Sequence, residues 1–486
     1  MNICFSSVKE NQIVEICALY QDVISDMRAH GLRQWEWETY PTQEQLEAAV
    51  EAGQLYCAVE HGQLVAAFAL SGTLDEEYAR LSWMYGVKPA TLHLLAMRHA
   101  YFGTELAAQA LEFGKGEAKR LGYDSLRMDT CREDERMLAL FKGQMTREAG
   151  SITFEDNALA YACFEAPLSE YCPMLPIRMH PAYRFGEMTP WGGDQLRSVY
   201  HKQIPDERTG EALEISAIPK LESVSDAGET LGELIAKNGA RLTGKGAEEE
   251  FPLLLKLLAA REPLSVQVHP GDAYAKEHEH KLGKTEAWVI LNAEPGASIL
   301  YGMKEGVTLD GLREALKSGE DIEPMIERVN VQNGDVFYMP SGMVHAIGAG
   351  ILLYEIQQSS DVTYRLWDYN RRNAAGEKRP LHITQSLDVI DLGLHGARAR
   401  MPEVGGNELV NLLRVPAFGL DCACVNGELE LEANARGFRM VTALAGLLLS
   451  WQGDAMELNA GDSVLLPAMC PAVTLMGVGQ ALIAGR

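Results

Sequence analysis

At 486 residues the chain is long for a single hydrophobic core, and roughly two to four domains are expected. Its composition, 47% hydrophobic and 23% charged, is that of a globular protein, and a formal charge of −25 argues against nonspecific nucleic-acid or anionic-membrane binding. No apolar run approaches the roughly 18–20 residues that span a bilayer, and the opening MNICFSSVKENQ has no signal-peptide pattern.

Nine cysteines are scattered without CxxC pairs, which reads as reduced thiols in a cytoplasmic protein. In so acidic a chain, a phosphorylated substrate would have to be drawn in by a local cluster of Lys and Arg.

Residues 1–166 read as alternating helices and strands. Ile13, Ile16, Leu19, Val23 and Met27 have helical spacing across Glu10–His30. Thr42–Gly53 is a second helix, opened by a capping box of Thr42 and Gln45 and stopped by Gly53. Leu55–Glu60 and Gln63–Leu70 are strands joined by a His61-Gly62 turn. A strand at Thr91–Met97, a helix at Gly103–Leu121, a strand at Tyr123–Asp129 and a short helix at Glu133–Lys142 complete a mixed α/β unit.

Within that unit, Phe102-Gly-Thr-Glu-Leu-Ala107 and the following MDTCREDERMLALFKGQM resemble the GNAT acetyltransferases. The resemblance implies that Gly103 and Ala107, at the start of a helix, help to cradle the pyrophosphate of acetyl-CoA. The sequence departs from the family motif at Phe102, where an Arg or Gln is usual, and at Glu105, where a glycine is usual. A carboxylate at that point repels a phosphate. Asp134 stands at an Asn position, and Phe141 stands where a tyrosine often donates a proton, which a Phe cannot do.

Prolines 167, 173, 176 and 181 mark a boundary within Glu165–Arg184. Beyond it, Thr230–Asn238 is a helix with Thr230 and Glu233 as a capping box, and Thr308–Ser318 is another. Phe251–Leu258 leads into the strand Leu264–Pro270. From Val329 onward, short β runs separated by Gly and Pro indicate a sandwich or barrel. Asn333-Gly-Asp-Val-Phe-Tyr-Met-Pro340 recurs as Ala460-Gly-Asp-Ser-Val-Leu-Leu-Pro467. His345 follows the first copy, and Ala472 takes its place after the second. Two cupin-like jelly rolls are expected, with ligand residues in the first alone.

Alternation puts Gln267 and His269 on one strand face and Val266 and Val268 on the other. With Glu286 and His345 from later strands, two imidazoles, a carboxylate and an amide can converge on one metal ion. Lys256, Lys284 and Arg365 lie in or beside apolar runs, which suggests a buried anion site. Lys284, two residues before Glu286, is expected on that ligand's strand and face.

FPLLLKLLAAREPLSVQVHP, GKTEAW, NGDVFYMPSGMVHAIG and YEIQQSSDVTYRLWDYNR together resemble the zinc-dependent type I mannose-6-phosphate isomerases in their short bacterial form, from about Pro173 to the C-terminus. The resemblance implies zinc on Gln267, His269, Glu286 and His345. It also implies substrate contacts from Lys256, Ser265, Lys284 and Glu355, with Arg365 as the active-site arginine. Ile347 departs from longer relatives, which have a tyrosine there. The implied reaction interconverts mannose 6-phosphate and fructose 6-phosphate through an enediolate. Glu355, flanked by Tyr354 and Ile356 where burial would raise its pKa, is the expected base.

The expectation is thus a multidomain chain: a GNAT-like α/β domain over 1–166, a catalytic jelly roll over 173–398, and a second jelly roll without metal ligands over 399–486. A metal-binding sugar-phosphate sensor, or an N-acetyltransferase with an accessory isomerase, are the competing readings.

Overall fold

The computed structural model describes residues 3–154, 157–246, 250–373, 375–434 and 436–485. The chain divides into two compact units, Met1–Leu175 and Pro176–Arg486. All nine cysteines are free, and no helix among the described residues is long and apolar enough to cross a membrane.

The first unit has the expected run of elements. These are α1 (Ile13–Ala29), α2 (Gln43–Glu51), β2 (Leu55–Glu60), β3 (Gln63–Ser71), β4 (Pro89–Met97), α3 (Leu106–Arg120), β5 (Ser125–Cys131) and α4 (Glu135–Gln144). The Thr42 hydroxyl accepts from the Gln45 amide, and the Gln45 side chain returns to the Thr42 N–H, so the capping box forms as read. His61 and Gly62 have φ of 49° and 80°, the pair of left-handed residues that a tight hairpin turn requires.

Three strands were not anticipated: β1 (Ile3–Ser7), β6 (Arg147–Phe154) and β7 (Asn157–Pro167). The sheet order is β1-β2-β3-β4-β5-β7-β6, so β7 is inserted between β5 and its own hairpin partner. Among the described residues only β4 and β5 run parallel, and they pair over Pro89–Thr91 and Ser125–Arg127. Past Thr91 and Arg127 this pairing ends. The apolar faces of α1 and α2 pack on one part of the sheet through Ile16, Leu19, Tyr20 and Leu46, and α3 packs on another through Ala110 and Leu111.

The second unit is mostly β, in three sheets. The largest, of nine strands, contains β8 (Ile177–His180), β11 (Val224–Ser225), β22 (Glu408–Arg414), β23 (Gly419–Leu431), β24 (Arg439–Ala443), β25 (Leu447–Trp451), β26 (Asp454–Leu458), β27 (Ser463–Leu466) and β28 (Val473–Gly485). A seven-stranded sheet runs β21-β17-β14-β19-β12-β10-β9. Its strands are β9 (Ala182–Phe185), β10 (Thr209–Ile215), β12 (Leu253–Ala260), β14 (Glu286–Ala293), β17 (Asp335–Met339), β19 (Ile351–Gln358) and β21 (Arg398–Arg400). A five-stranded sheet, β16-β15-β18-β13-β20, is built from β13 (Val266–Val268), β15 (Ser298–Met303), β16 (Ile326–Asn330), β18 (His345–Ile347) and β20 (Tyr364–Trp367).

One apolar core joins the seven- and five-stranded sheets: Trp288, Ile290, Leu258 and Leu353 from the first meet Ile299, Tyr301 and Ile347 from the second. Ile347 is 1% exposed and belongs to this core.

The repeated Gly-Asp segments form the same turn. Gly334 and Gly461 have φ of 87° and 90°. Asp335 accepts from the Gln332 amide, and Asp462 from the Asn459 amide, each at 2.9 Å.

Candidate active site and metal centre

The site forms where the core between the two smaller sheets changes from apolar to polar. In antiparallel pairing, directly opposed residues share a face. His345, Gln267 and Arg365 stand opposite one another across β18, β13 and β20. On the facing sheet, Lys256, Glu355 and Trp288 form one such row across β12, β19 and β14, and Glu286 pairs with Gln357 two residues along. Val266 and Val268 turn the other way into a separate apolar core, so the alternation read from the sequence holds.

His269, Glu286 and His345 are all buried and bring one ligand-type atom each within 4.8 Å of one another. His345 Nε2 lies 3.2 Å from Glu286 Oε1, and His269 Nε2 lies 3.5 Å from Oε2. Each imidazole turns Nδ1 to a backbone carbonyl: His269 to Val362 at 3.0 Å and His345 to Met343 at 2.9 Å. A carbonyl only accepts, so Nδ1 carries the hydrogen and Nε2 keeps its lone pair toward the cluster. The Gln267 amide is 3.4 Å from His345 Nε2 through its nitrogen, and turning the amide over would present its oxygen instead.

Both Glu286 carboxylate oxygens are sealed from solvent, and Lys284 Nζ is paired with Oε2 at 2.7 Å. Two neutral nitrogens, a buried carboxylate and an amide suit a divalent cation. Burial pushes the Glu286 carboxyl up, but the Lys284 ammonium beside it outweighs this and holds the group well below the usual range. Burial, then Lys284, keeps His269 well below its ordinary value, which is the neutral form a ligand needs.

Lys284 reaches the cluster by another route than expected. It precedes β14, with its amide bonded to the Pro270 carbonyl, and its ammonium lies 2.9 Å from His269 Nε2. Lys256 donates to Glu355 Oε1 at 2.9 Å, and Trp288 Nε1 donates to Oε2 at 3.0 Å. Arg365 Nε donates to the buried Ser265 hydroxyl at 3.3 Å, and its Nη1 to the Pro380 carbonyl at 2.9 Å. Burial, with Arg379 and Arg371 nearby, lowers the Arg365 pKa from its ordinary value.

One buried acid at this site was not read from the sequence. Glu211 on β10 has Lys256 Nζ at 3.6 Å and Arg184 at 3.2 Å. Burial lifts the Lys256 ammonium's cost, but Glu211 and Glu355 more than offset it and raise its pKa. The available signal was an acid between Gly210 and Ala212, one of two with Glu214, in a strand that is buried throughout.

In the first unit, Gly103 and Ala107 line a cavity of about 810 Å³ at the start of α3. Gly103 has φ of 76° and Ala107 is buried. Phe102, Asp134 and Phe141 lie on the same wall, while Asp134 also caps α4 through the Met137 amide.

Residues 178–295 match the family model for the catalytic domain of type I phosphomannose isomerase. A mannose-6-phosphate isomerase of Streptococcus mutans is 41% identical over 283 residues, covering 57% of this chain and 88% of the relative. The chain belongs to the type I phosphomannose isomerase family. A second family member, from Bacillus subtilis, is 37% identical over 301 residues, covering 60% of this chain and 94% of its own. The crystal structure of mannose 6-phosphate isomerase from Bacillus subtilis superposes with a TM-score of 0.57 at 32% identity, covering 64% of this chain and 99% of that one. The shared part therefore leaves about a third of this chain outside the family likeness.

Proposed function

We propose that the chain interconverts D-mannose 6-phosphate and D-fructose 6-phosphate through an enediolate, at the buried His269–Glu286–His345 cluster. That fully buried cluster of two imidazoles and a carboxylate carries the reading. Gln267, His269, Glu286 and His345 would hold zinc. When bound, such an ion supplies Lewis-acid polarisation of adjacent sugar oxygens.

The chain's own residues supply the rest. Arg365, anchored by Ser265 and the Pro380 carbonyl, offers its remaining guanidinium hydrogens to the phosphate. Lys284, beside the ligands, places positive charge where an enediolate oxygen develops. Lys256 binds substrate from the facing sheet, fixed there by Glu211 and Glu355. Glu355 moves the proton between the two sugar carbons. It shares the sheet face of Glu286 one row away, and its two donors, Lys256 and Trp288, hold its orientation.

A coupled isomerase assay on the full chain, with chelator and with zinc restored, tests this function. No turnover in the presence of zinc removes it in favour of a sugar-phosphate sensor. Glu355→Gln should abolish exchange of the substrate's transferred hydrogen with solvent, and retained exchange would move that role elsewhere.

For the first unit, the proposal is a GNAT-like domain that binds acetyl-CoA at Gly103 and Ala107. The parting of β4 from β5 and the cavity at the start of α3 support it. Glu105, exposed at the N-cap of α3, opposes a pyrophosphate there. Calorimetry with acetyl-CoA decides it. Nine free cysteines fit a reducing, cytoplasmic setting.

A further inference from the structure

Beyond β20 the chain folds back against Arg365. Asp368, Tyr369, Asn370 and Arg371 form a tight turn, closed by the Arg371 amide on the Asp368 carbonyl at 2.9 Å. Tyr369 and Asn370 have φ of 54° and 56°. Two successive left-handed residues, neither a glycine, persist only where their surroundings hold them. On the return, the Pro380 carbonyl accepts from Arg365 Nη1 at 2.9 Å, and the His382 amide donates to the Arg365 carbonyl at 2.8 Å.

Asp368, 5% exposed, holds the turn together. Arg379 donates to it through a fork, Nε at 2.7 Å and Nη2 at 2.6 Å, and Arg371 Nη2 adds a third bond at 2.8 Å. A single forked arginine already neutralises a buried carboxylate. Here Arg365, Arg371 and Arg379 surround one acid, three positive charges against one negative, an excess of two in a chain of formal charge −25. Neighbouring acids are engaged elsewhere: Glu279 accepts from the Tyr364 hydroxyl, Glu377 from the Asn373 amide, and Glu323 pairs with Arg328.

The excess is felt within the cluster. Burial, then Arg379, lowers the Arg365 pKa, with Arg371 adding to the effect and Asp368 opposing it. Arg371 packs over the Tyr369 ring at 5.2 Å, and its Nε and Nη1 are sealed from solvent without a hydrogen bond. Buried charge left uncompensated is costly, and an anion beside it offsets that cost. Arg365 uses Nε and Nη1, and Arg379 uses Nε and Nη2. Among the described residues, each guanidinium therefore keeps one terminal NH2 group for a ligand.

We propose that Arg379 binds the substrate's phosphate together with Arg365, and that Asp368 is the positioning residue that holds Arg379 beside it. A phosphate monoester carries up to about −2, which matches the excess of the cluster. The inference rests on the isomerase reading for the identity of the substrate, but the anion site is measurable without turnover.

Calorimetry of the full chain with chelator present, so that no zinc attracts the anion, uses inorganic phosphate, mannose 6-phosphate and mannose as probes. The parent should bind both phosphates saturably and mannose not. Arg379→Gln should weaken both phosphates at least about tenfold, the effect of losing one charge-assisted contact. Arg379→Lys, which keeps the charge but loses the fork on Asp368, should fall between. In the coupled assay with zinc, Arg379→Gln should raise KM about tenfold with kcat nearly unchanged, and Asp368→Asn should raise KM by less. A parent that binds phosphate without turnover defeats the isomerase reading and leaves this site standing. If Arg379→Gln does not fold, Arg379→Gln with Asp368→Asn, which removes both partners of the fork, is judged by the same affinities. No phosphate binding by the parent, unchanged phosphate affinity in the variants, or a fall in kcat at constant KM overturns the proposal.

Discussion

Exchanging Glu286 for Gln separates the metal from the rest of the site. The substitution keeps the side chain's shape but removes the charge beside Lys284, whose ammonium is 2.7 Å away and whose side chain is only 6% exposed. Leaving one member of a buried pair without its partner costs about 3–5 kcal/mol. For the unit Pro176–Arg486, an unfolding entropy of about 2.1 cal/mol/K per residue sums to about 0.65 kcal/mol/K. The metal-free variant should therefore unfold about 5–8 °C below the metal-free parent. The parent itself should gain about 4 °C from zinc, because a ligand at about 100 times its Kd contributes about 2.7 kcal/mol. Scanning calorimetry of both proteins, with chelator and with zinc, measures the four midpoints. The variant should show no zinc-dependent gain. An equal zinc shift in Glu286→Gln would place the metal elsewhere, and no shift in the parent would remove the metal from the site.

Three further substitutions test the surrounding residues. Glu211→Gln leaves Lys256 with Glu355 alone and should lower kcat/KM in the coupled assay about tenfold, a loss near 1.4 kcal/mol; unchanged kinetics would detach Lys256 from the reaction. Arg365→Lys loses the guanidinium fork between Ser265 and Pro380 and should raise KM for the sugar phosphate about tenfold or more, with a smaller change in kcat. Asp462→Asn weakens the pairing to Arg178 at 2.6 Å and should cost about 1–2 kcal/mol by denaturant titration, without altering zinc affinity.

The facing of β13 was legible because alternation has a fixed period: Val266 and Val268 must enter one core, so Gln267 and His269 must face away from it. The capping boxes at Thr42 and Thr230 were legible for a similar reason, each being a local bond between residues three apart. Lys284 was placed on the right ligand for the wrong reason. It lies before β14, and its long stem, not strand parity, carries the ammonium to Glu286. Glu211 was missed because both acids of Gly-Glu-Ala-Leu-Glu are buried against a lysine, Glu214 against Lys202, and only the pairing of β10 with β12 brings Glu211 to Lys256. Strands β6 and β7 escaped for a comparable reason, since β7 draws its position from β5, earlier in the chain.

The repeated turn ties the C-terminal strands to the strands that precede them. Asp335 is held by Arg400 at 2.8 Å, and Arg400 sits on β21 at the threshold of the C-terminal roll. Asp462 is held by Arg178, on β8 at the start of the catalytic region. Each turn is thus clamped from a segment that adjoins the other roll in sequence, and the strands follow: β21 pairs with β17, and β8 pairs with β27. A boundary at 398/399 therefore cuts the sequence without separating the hydrogen bonds. Where the first copy leads to His345, the second leads to Ala472 and straight into β28. The C-terminal strands enclose Val441, Leu449, Val464 and Leu475, all fully buried. Strand β27, which gives Val464 and Leu466 to that core, pairs with β8, whose chain continues into β9 and the sheet that carries Lys256 and Glu286.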